Sequence, residues 1–138
     1  MTNPAPFPQA DVPPTHAQQL GHLGERVAVR WLTERGWRIL QLRYRSGHRD
    51  VDVIAERRGT VAFVEVKARS GVSFGDPIEA VNWFKKKQLV KSASCWISLH
   101  GRPGERYRFD VIGVWISRGR VRVRHVENAF ELPAVLGR

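Results

Sequence analysis

Between His16 and Arg35, apolar side chains recur at three- and four-residue steps: Leu20, Leu23, Val27 and Trp31, with Ala28 and Leu32 alongside. That spacing predicts one amphipathic helix. Gly36 follows, where a helix commonly ends on a left-handed residue. After it the period falls to two. Residues 37–45 (WRILQLRYR), 50–56 (DVDVIAE) and 60–69 (TVAFVEVKAR) each read as a strand, the last two joined by an Arg58-Gly59 turn.

Residues 70–77 (SGVSFGDP) read as a loop that leads into a second helix. Asp76 suits the cap, Pro77 the first helical position, and Glu79 closes a capping box. The helix is expected to run to about Ile97, with Val81, Phe84, Gln88, Leu89, Ala93 and Trp96 turned to the sheet. Lys85, Lys86, Lys87 and Lys91 fall on its other side. After a loop at 100–105, YRFDVIGVWI and RVRVRHV form a second hairpin around Arg118-Gly119. The order αβββαββ predicts an α/β fold, a central mixed β-sheet flanked by helices.

A chain of 138 residues, 42% apolar, has room for one core. Five of its eight prolines lie within residues 1–17, expected to be a disordered leader ahead of a single domain at 18–138. No apolar run approaches the roughly 18–20 residues of a membrane span. The start lacks the basic and apolar parts of a secretory signal, and the lone Cys95 excludes an internal disulfide. A cytoplasmic protein without a membrane partner is expected. Lys and Arg outnumber Asp and Glu by 23 to 13, a net charge of +10. The leader holds only Asp11 of these, so the excess is concentrated in the domain. A surface that basic attracts polyanions, and nucleic acid is the usual one.

Against that background the acids inside the second and third strands stand out. Strand alternation sets Asp50, Asp52 and Ile54 on one face, with Val51, Val53 and Ala55 on the other; Phe63, Glu65 and Lys67 likewise share a face. A two-residue turn then pairs Asp52 with Glu65 and Asp50 with Lys67. Facing side chains stand about 4.5–5.5 Å apart at Cβ. Asp50 and Lys67 neutralise each other; Asp52 and Glu65 do not. Either one carboxyl keeps its proton or a cation sits between them. Paired carboxylates suit Mg2+ or Mn2+. Lys67, one strand step on, is placed to orient or activate water and to offset phosphate charge. The set points to phosphodiester hydrolysis.

DVDVIA, followed after a hairpin by FVEVKAR, resembles the PD-(D/E)xK core of restriction-endonuclease-like nucleases. With GHLGERVAVRWLTERGW, FGDPIEAVNWFKKKQLVKSASCWI and RFDVIGV in order, the stretch from Leu20 to Val126 more closely resembles the YraN-type family of small predicted endonucleases related to archaeal Holliday junction resolvases. The resemblance implies a restriction-endonuclease-like fold, with Asp52 and Glu65 as metal-binding acids and Lys67 as the catalytic lysine. It also implies that Glu25 joins the metal from the first helix, that Gln88 helps hold the site, and that the chain works as a homodimer. The backbone carbonyl of Val66 is expected among the metal ligands. The chain departs from the family pattern at Arg49-Asp50, where Gly-Glu is usual. Asp50 therefore either joins catalysis or merely pairs with Lys67. His48 is either a proton relay or a solvated loop residue. Asp110 either pairs structurally with an arginine such as Arg108 or borders the site.

The expected activity is Mg2+- or Mn2+-dependent cleavage of DNA, with RNA the less favoured substrate. Lys85, Lys86, Lys87, Lys91, Arg45, Arg49 and Arg69 are expected to grip phosphates, together with Arg43 and the Arg120, Arg122, Arg124 strand. Nothing resembles a base-reading helix, so recognition should be structure-dependent or nonspecific. The alternative is a noncatalytic nucleic-acid-binding module, for DNA or RNA, that retains the nuclease fold.

Overall fold

The computed structural model describes residues 13–47, 49–71 and 82–130. Helix α1 (His16–Glu34) is followed by strands β1 (Arg38–Ser46), β2 (Arg49–Arg57) and β3 (Thr60–Ser70), helix α2 (Trp83–His100), and strands β4 (Arg106–Ser117) and β5 (Arg120–Phe130). This is the αβββαββ order read from the sequence. The strands form one sheet in chain order, antiparallel throughout except for the parallel β3–β4 pair. A parallel neighbour needs a crossover, and the connection containing α2 supplies it. No helix among the described residues is long and apolar enough to cross a membrane.

α1 opens on a capping box, in which Thr15 Oγ1 accepts the Gln18 N–H and Gln18 Oε1 accepts the Thr15 N–H. His16 and Ala17, grouped by composition with the leader, are therefore the first residues of the helix; residues 1–12 lie outside the described ones. The buried stripe is Gly24, Ala28 and Leu32, flanked by Val27 and Trp31, while Leu23 is exposed. After Arg35, Gly36 takes φ +86°, the left-handed exit its position predicts.

Two apolar clusters sandwich the sheet. Under α1, Ala28, Leu32 and Trp37 pack with Val53, Ala55, Ala62, Val64, Ile112 and Val114. On the other face Leu89, Ala93 and Trp96 of α2 meet Tyr44, Val51, Ile54, Phe63, Phe109 and Val111.

α2 departs from expectation at both ends. Asn82 is extended and its side chain accepts the Lys85 N–H at 2.9 Å, so the helix starts at Trp83. Asp76, Pro77, Glu79 and Val81 lie outside the described residues. At its other end the helix continues past Ile97 to His100. The buried stripe is Leu89, Ser92, Ala93 and Trp96. Carried back one turn, it arrives at Lys85 rather than Phe84. Phe84, expected inward, is exposed.

Asp110 is structural. Buried on the α1 side of β4, it accepts the Asn128 N–H on Oδ1 at 3.0 Å, and Arg108 Nη2 and His125 on Oδ2 at 3.1 and 2.7 Å. Trp31 Nε1 donates to His125 Nδ1 at 3.4 Å, which leaves Nε2 as the histidine's donor to Asp110. Both carboxylate oxygens are satisfied, and the cluster ties β4 to β5 and to α1.

Candidate active site

β2 and β3 pair from Arg57–Thr60 to Val53–Val64, in the register the two-residue turn predicts, with Arg58 and Gly59 both at positive φ. There the ladder stops. Asp52 takes over, its Oδ2 accepting the Val66 N–H at 2.8 Å. β1 bends at the same level, where Arg43 adopts φ +49°, a left-handed conformation that costs a non-glycine residue about 1–2 kcal/mol. The bend breaks the alternation. Val51 and its β1 partner Tyr44 lie in the α2-side cluster with Ile54, while Val53 packs under α1.

Asp50 and Lys67 are consequently not partners, contrary to the sequence expectation. Asp50 stands opposite Arg45 and pairs with it at 3.2 Å, because β2 has already left β3 where the two would have met. Lys67 Nζ turns back to Glu65 Oε1 at 3.3 Å. Lys85, expected on the far side of its helix, reaches the same oxygen at 3.6 Å, an ion-pair distance rather than a hydrogen bond. Glu65 itself is only 3% exposed. Its Oε2 is buried and accepts no hydrogen bond among the described residues.

Asp52 feels the charge of Glu65. Burial, then the Glu65 charge, push its carboxyl up to about 7; the Val66 N–H pulls the other way and Glu25 adds to the rise. A buried oxygen without a donor is costly. A shared proton or a cation would relieve it.

Two adjacent acids with one uncommitted buried oxygen fit a hard divalent cation, which takes carboxylates and completes its shell with water. The fit extends to two acids. Among the described residues no group of three acids, histidines or cysteines converges closely enough to hold a metal. Glu25 lines an open cleft of about 630 Å3 with His22, Arg43, Asp50 and Asp52. Its Oε2, however, is held by Arg43 Nε at 2.7 Å, and Arg43 also contacts His22.

The remaining candidates scatter around this pair. Gln88 is half-buried on α2, and Val66 contributes its N–H to Asp52. Arg69 and Lys91 are exposed. Lys86 and Lys87 lie over the rings of Phe130 and Trp83, at 5.5 and 5.2 Å. His48 and the side chain of Arg49 are outside the described residues. Sequence reasoning missed two contacts, Lys85 with Glu65 and Arg43 with Glu25. Lys85 was signalled, standing four residues before buried Leu89; for the Arg43 bend the sequence carries no signal.

Residues 24–114, which include Glu25, Asp52, Glu65, Lys67 and Lys85, match the family described as Uncharacterised protein family UPF0102. A UPF0102 protein of Chlorobium phaeobacteroides (strain BS1) is 42% identical over 117 residues, 80% of this chain and 93% of its own length. One from Myxococcus xanthus (strain DK1622) is 39% identical over 119 residues, covering 86% and 94%. One from Alkaliphilus oremlandii (strain OhILAs) is 41% identical over 116 residues, covering 82% and 98%. The chain belongs to the UPF0102 family.

Proposed function

We propose that this UPF0102 protein is a cytoplasmic, divalent-metal-dependent endonuclease of the PD-(D/E)xK kind that hydrolyses DNA phosphodiester bonds. One observation carries the reading: buried Glu65 has two ammonium groups at one oxygen and, among the described residues, none at the other, with Asp52 beside it. A purely structural buried acid is expected to have both oxygens satisfied, as Asp110 has.

Asp52 and Glu65 would hold Mg2+ or Mn2+, which when bound offsets charge on the phosphate and the leaving oxygen. The Val66 N–H fixes the Asp52 carboxylate. Glu65 fixes Lys67, whose ammonium then serves to hold the attacking water in line, while Lys85 offers a second positive charge to the phosphate. The basic side chains around the acids bind backbone phosphates and read no bases, so selection is by structure or is absent. The kinship to YraN-type and resolvase-like nucleases rests on the same Asp52, Glu65 and Lys67, with Glu25 nearby.

Labelled single-stranded, duplex, flapped and four-way DNA should be cut in Mg2+ or Mn2+ by the wild-type chain and left intact by Asp52→Ala. Equal cutting by both would assign the activity to a contaminant and end the reading. The second reading is a noncatalytic module that binds DNA or RNA. It is favoured by the Arg43–Glu25 pair, which leaves two acids together among the described residues. It expects salt-sensitive binding without metal-dependent cuts.

A further inference from the structure

α2 opens with Trp83-Phe84-Lys85-Lys86-Lys87. Its two aromatic side chains face solvent, Trp83 at 73% and Phe84 at 62% exposure. Single exposed apolar residues are ordinary, but two adjacent large ones on an ordered turn mark a surface that meets something. The turn is ordered by its cap, since Asn82 Oδ1 holds the Lys85 N–H at 2.9 Å. Its location is fixed as well, because Lys85, the next residue along, reaches Glu65 at 3.6 Å. The aromatic pair therefore sits on the same opening turn as the lysine that reaches the acids, Phe84 about 100° and Trp83 about 200° around the helix axis from it.

The surroundings select the occupant. Protein-binding patches are depleted of lysine at their centre. Here three lysines follow the aromatics directly, and Lys87 lies over the Trp83 ring at 5.2 Å. Aromatic faces interleaved with cations are the construction that binds single-stranded nucleic acid, the rings stacking on bases while the cations meet phosphates.

We propose that Trp83 and Phe84 form a stacking platform for an unpaired nucleobase beside the scissile phosphate, and that this platform directs the site toward DNA with unpaired nucleotides at the cut rather than continuous duplex. The proposal deepens the endonuclease reading and rests on it for the word scissile, yet its test needs no cleavage. With Ca2+ in place of Mg2+, fluorescence anisotropy would compare a labelled single strand, a flapped duplex and a blunt duplex. Trp83→Ala and Phe84→Ala should each weaken single-strand and flap binding by about tenfold or more, and blunt-duplex binding by no more than about twofold. Single strand should also quench tryptophan emission, and that quenching should disappear in Trp83→Phe, which keeps a ring and most of the affinity.

Equal losses on all three substrates, or no loss on any, would overturn the platform. So would a dimer in sedimentation that the same substitutions dissociate, for the patch would then belong to a second copy of the chain. The two proposals fail separately. Selective single-strand binding without metal-dependent cutting would leave the platform standing and remove the nuclease; cutting that Asp52→Ala abolishes, with no effect of the aromatic substitutions on binding, would do the reverse.

Discussion

Asp52 and Val66 hold β2 and β3 together across the gap where their ladder has ended, the carboxylate accepting the amide N–H at 2.8 Å. The bond needs only an acceptor, while metal binding needs a charge, and substitutions can separate the two. Asp52→Asn keeps an oxygen for Val66 and removes the repulsion with Glu65. It should abolish metal-dependent cleavage while the Tm in EDTA at neutral pH stays level or rises. Asp52→Ala leaves the Val66 N–H unpaired and should cost about 1–3 kcal/mol as well. Parallel cleavage assays and melts would check both; a large fall in Tm for Asp52→Asn would contradict this account.

The pH dependence of the metal-free protein has a definite sign. Asp52 is pushed up to about 7 from 3.8, so the folded chain keeps a proton that the unfolded chain releases. Where the native state binds more protons, stability falls as pH rises, here across about pH 4 to 7, and the loss is complete above that window. Urea midpoints in EDTA should show this Asp52 contribution as a wild-type decline between about pH 5 and pH 8, absent from Asp52→Asn. Mn2+ should restore the wild type at the upper end, and calorimetry below pH 7 should record proton release on binding. Identical pH profiles for the two chains would refute it.

Gly24 of α1 lies directly against Ala68 of β3. A Cβ built there would stand 2.6 Å from the Ala68 Cβ, so Gly24→Ala must push the helix off the sheet. The expected cost is about 1–3 kcal/mol. Glu25, the next residue, would move with it. A double-mutant cycle with Ala68→Gly should show coupling of at least about 0.5 kcal/mol, since the clash needs both methyl groups. Strict additivity in denaturant melts would mean that α1 relaxes elsewhere.

Asp110 and Lys67 should respond oppositely to truncation. Asp110→Ala strips Arg108 and His125 of their buried partner and should destabilise by about 3–5 kcal/mol. Lys67→Ala leaves Glu65 with Lys85 and should shift stability far less, while cleavage is lost. Chemical denaturation alongside the nuclease assay distinguishes them. An Asp110→Ala chain of near wild-type stability would show that the cluster is not the lock described.

Much of this architecture was legible because its signals are local. Alternation placed all five strands, and Arg58-Gly59 fixed the β2–β3 register through Val53. Alternation failed where a tertiary bend intervened. Nothing in the identity of Arg43 announces φ +49°, and without that bend Asp50 would be sought beside Lys67 rather than beside Arg45. On α2, counting apolar residues drew Phe84 inward, although the first turn meets a buried carboxylate that calls for Lys85. On α1 the same counting favoured Leu23 over Gly24. A residue without a side chain adds nothing to hydrophobic periodicity, yet its smallness brings helix and strand together.

The parallel β3–β4 pair obliges the chain to travel back along the sheet before β4 can start. α2 lies on that return path, and its opening turn sets Lys85 against Glu65 on the way. Connectivity thus delivers a further positive group to the acids without any residue being added to the strands that carry them. A substitution in that single turn therefore changes the charge that faces Glu65 while the sheet beneath it stays unchanged.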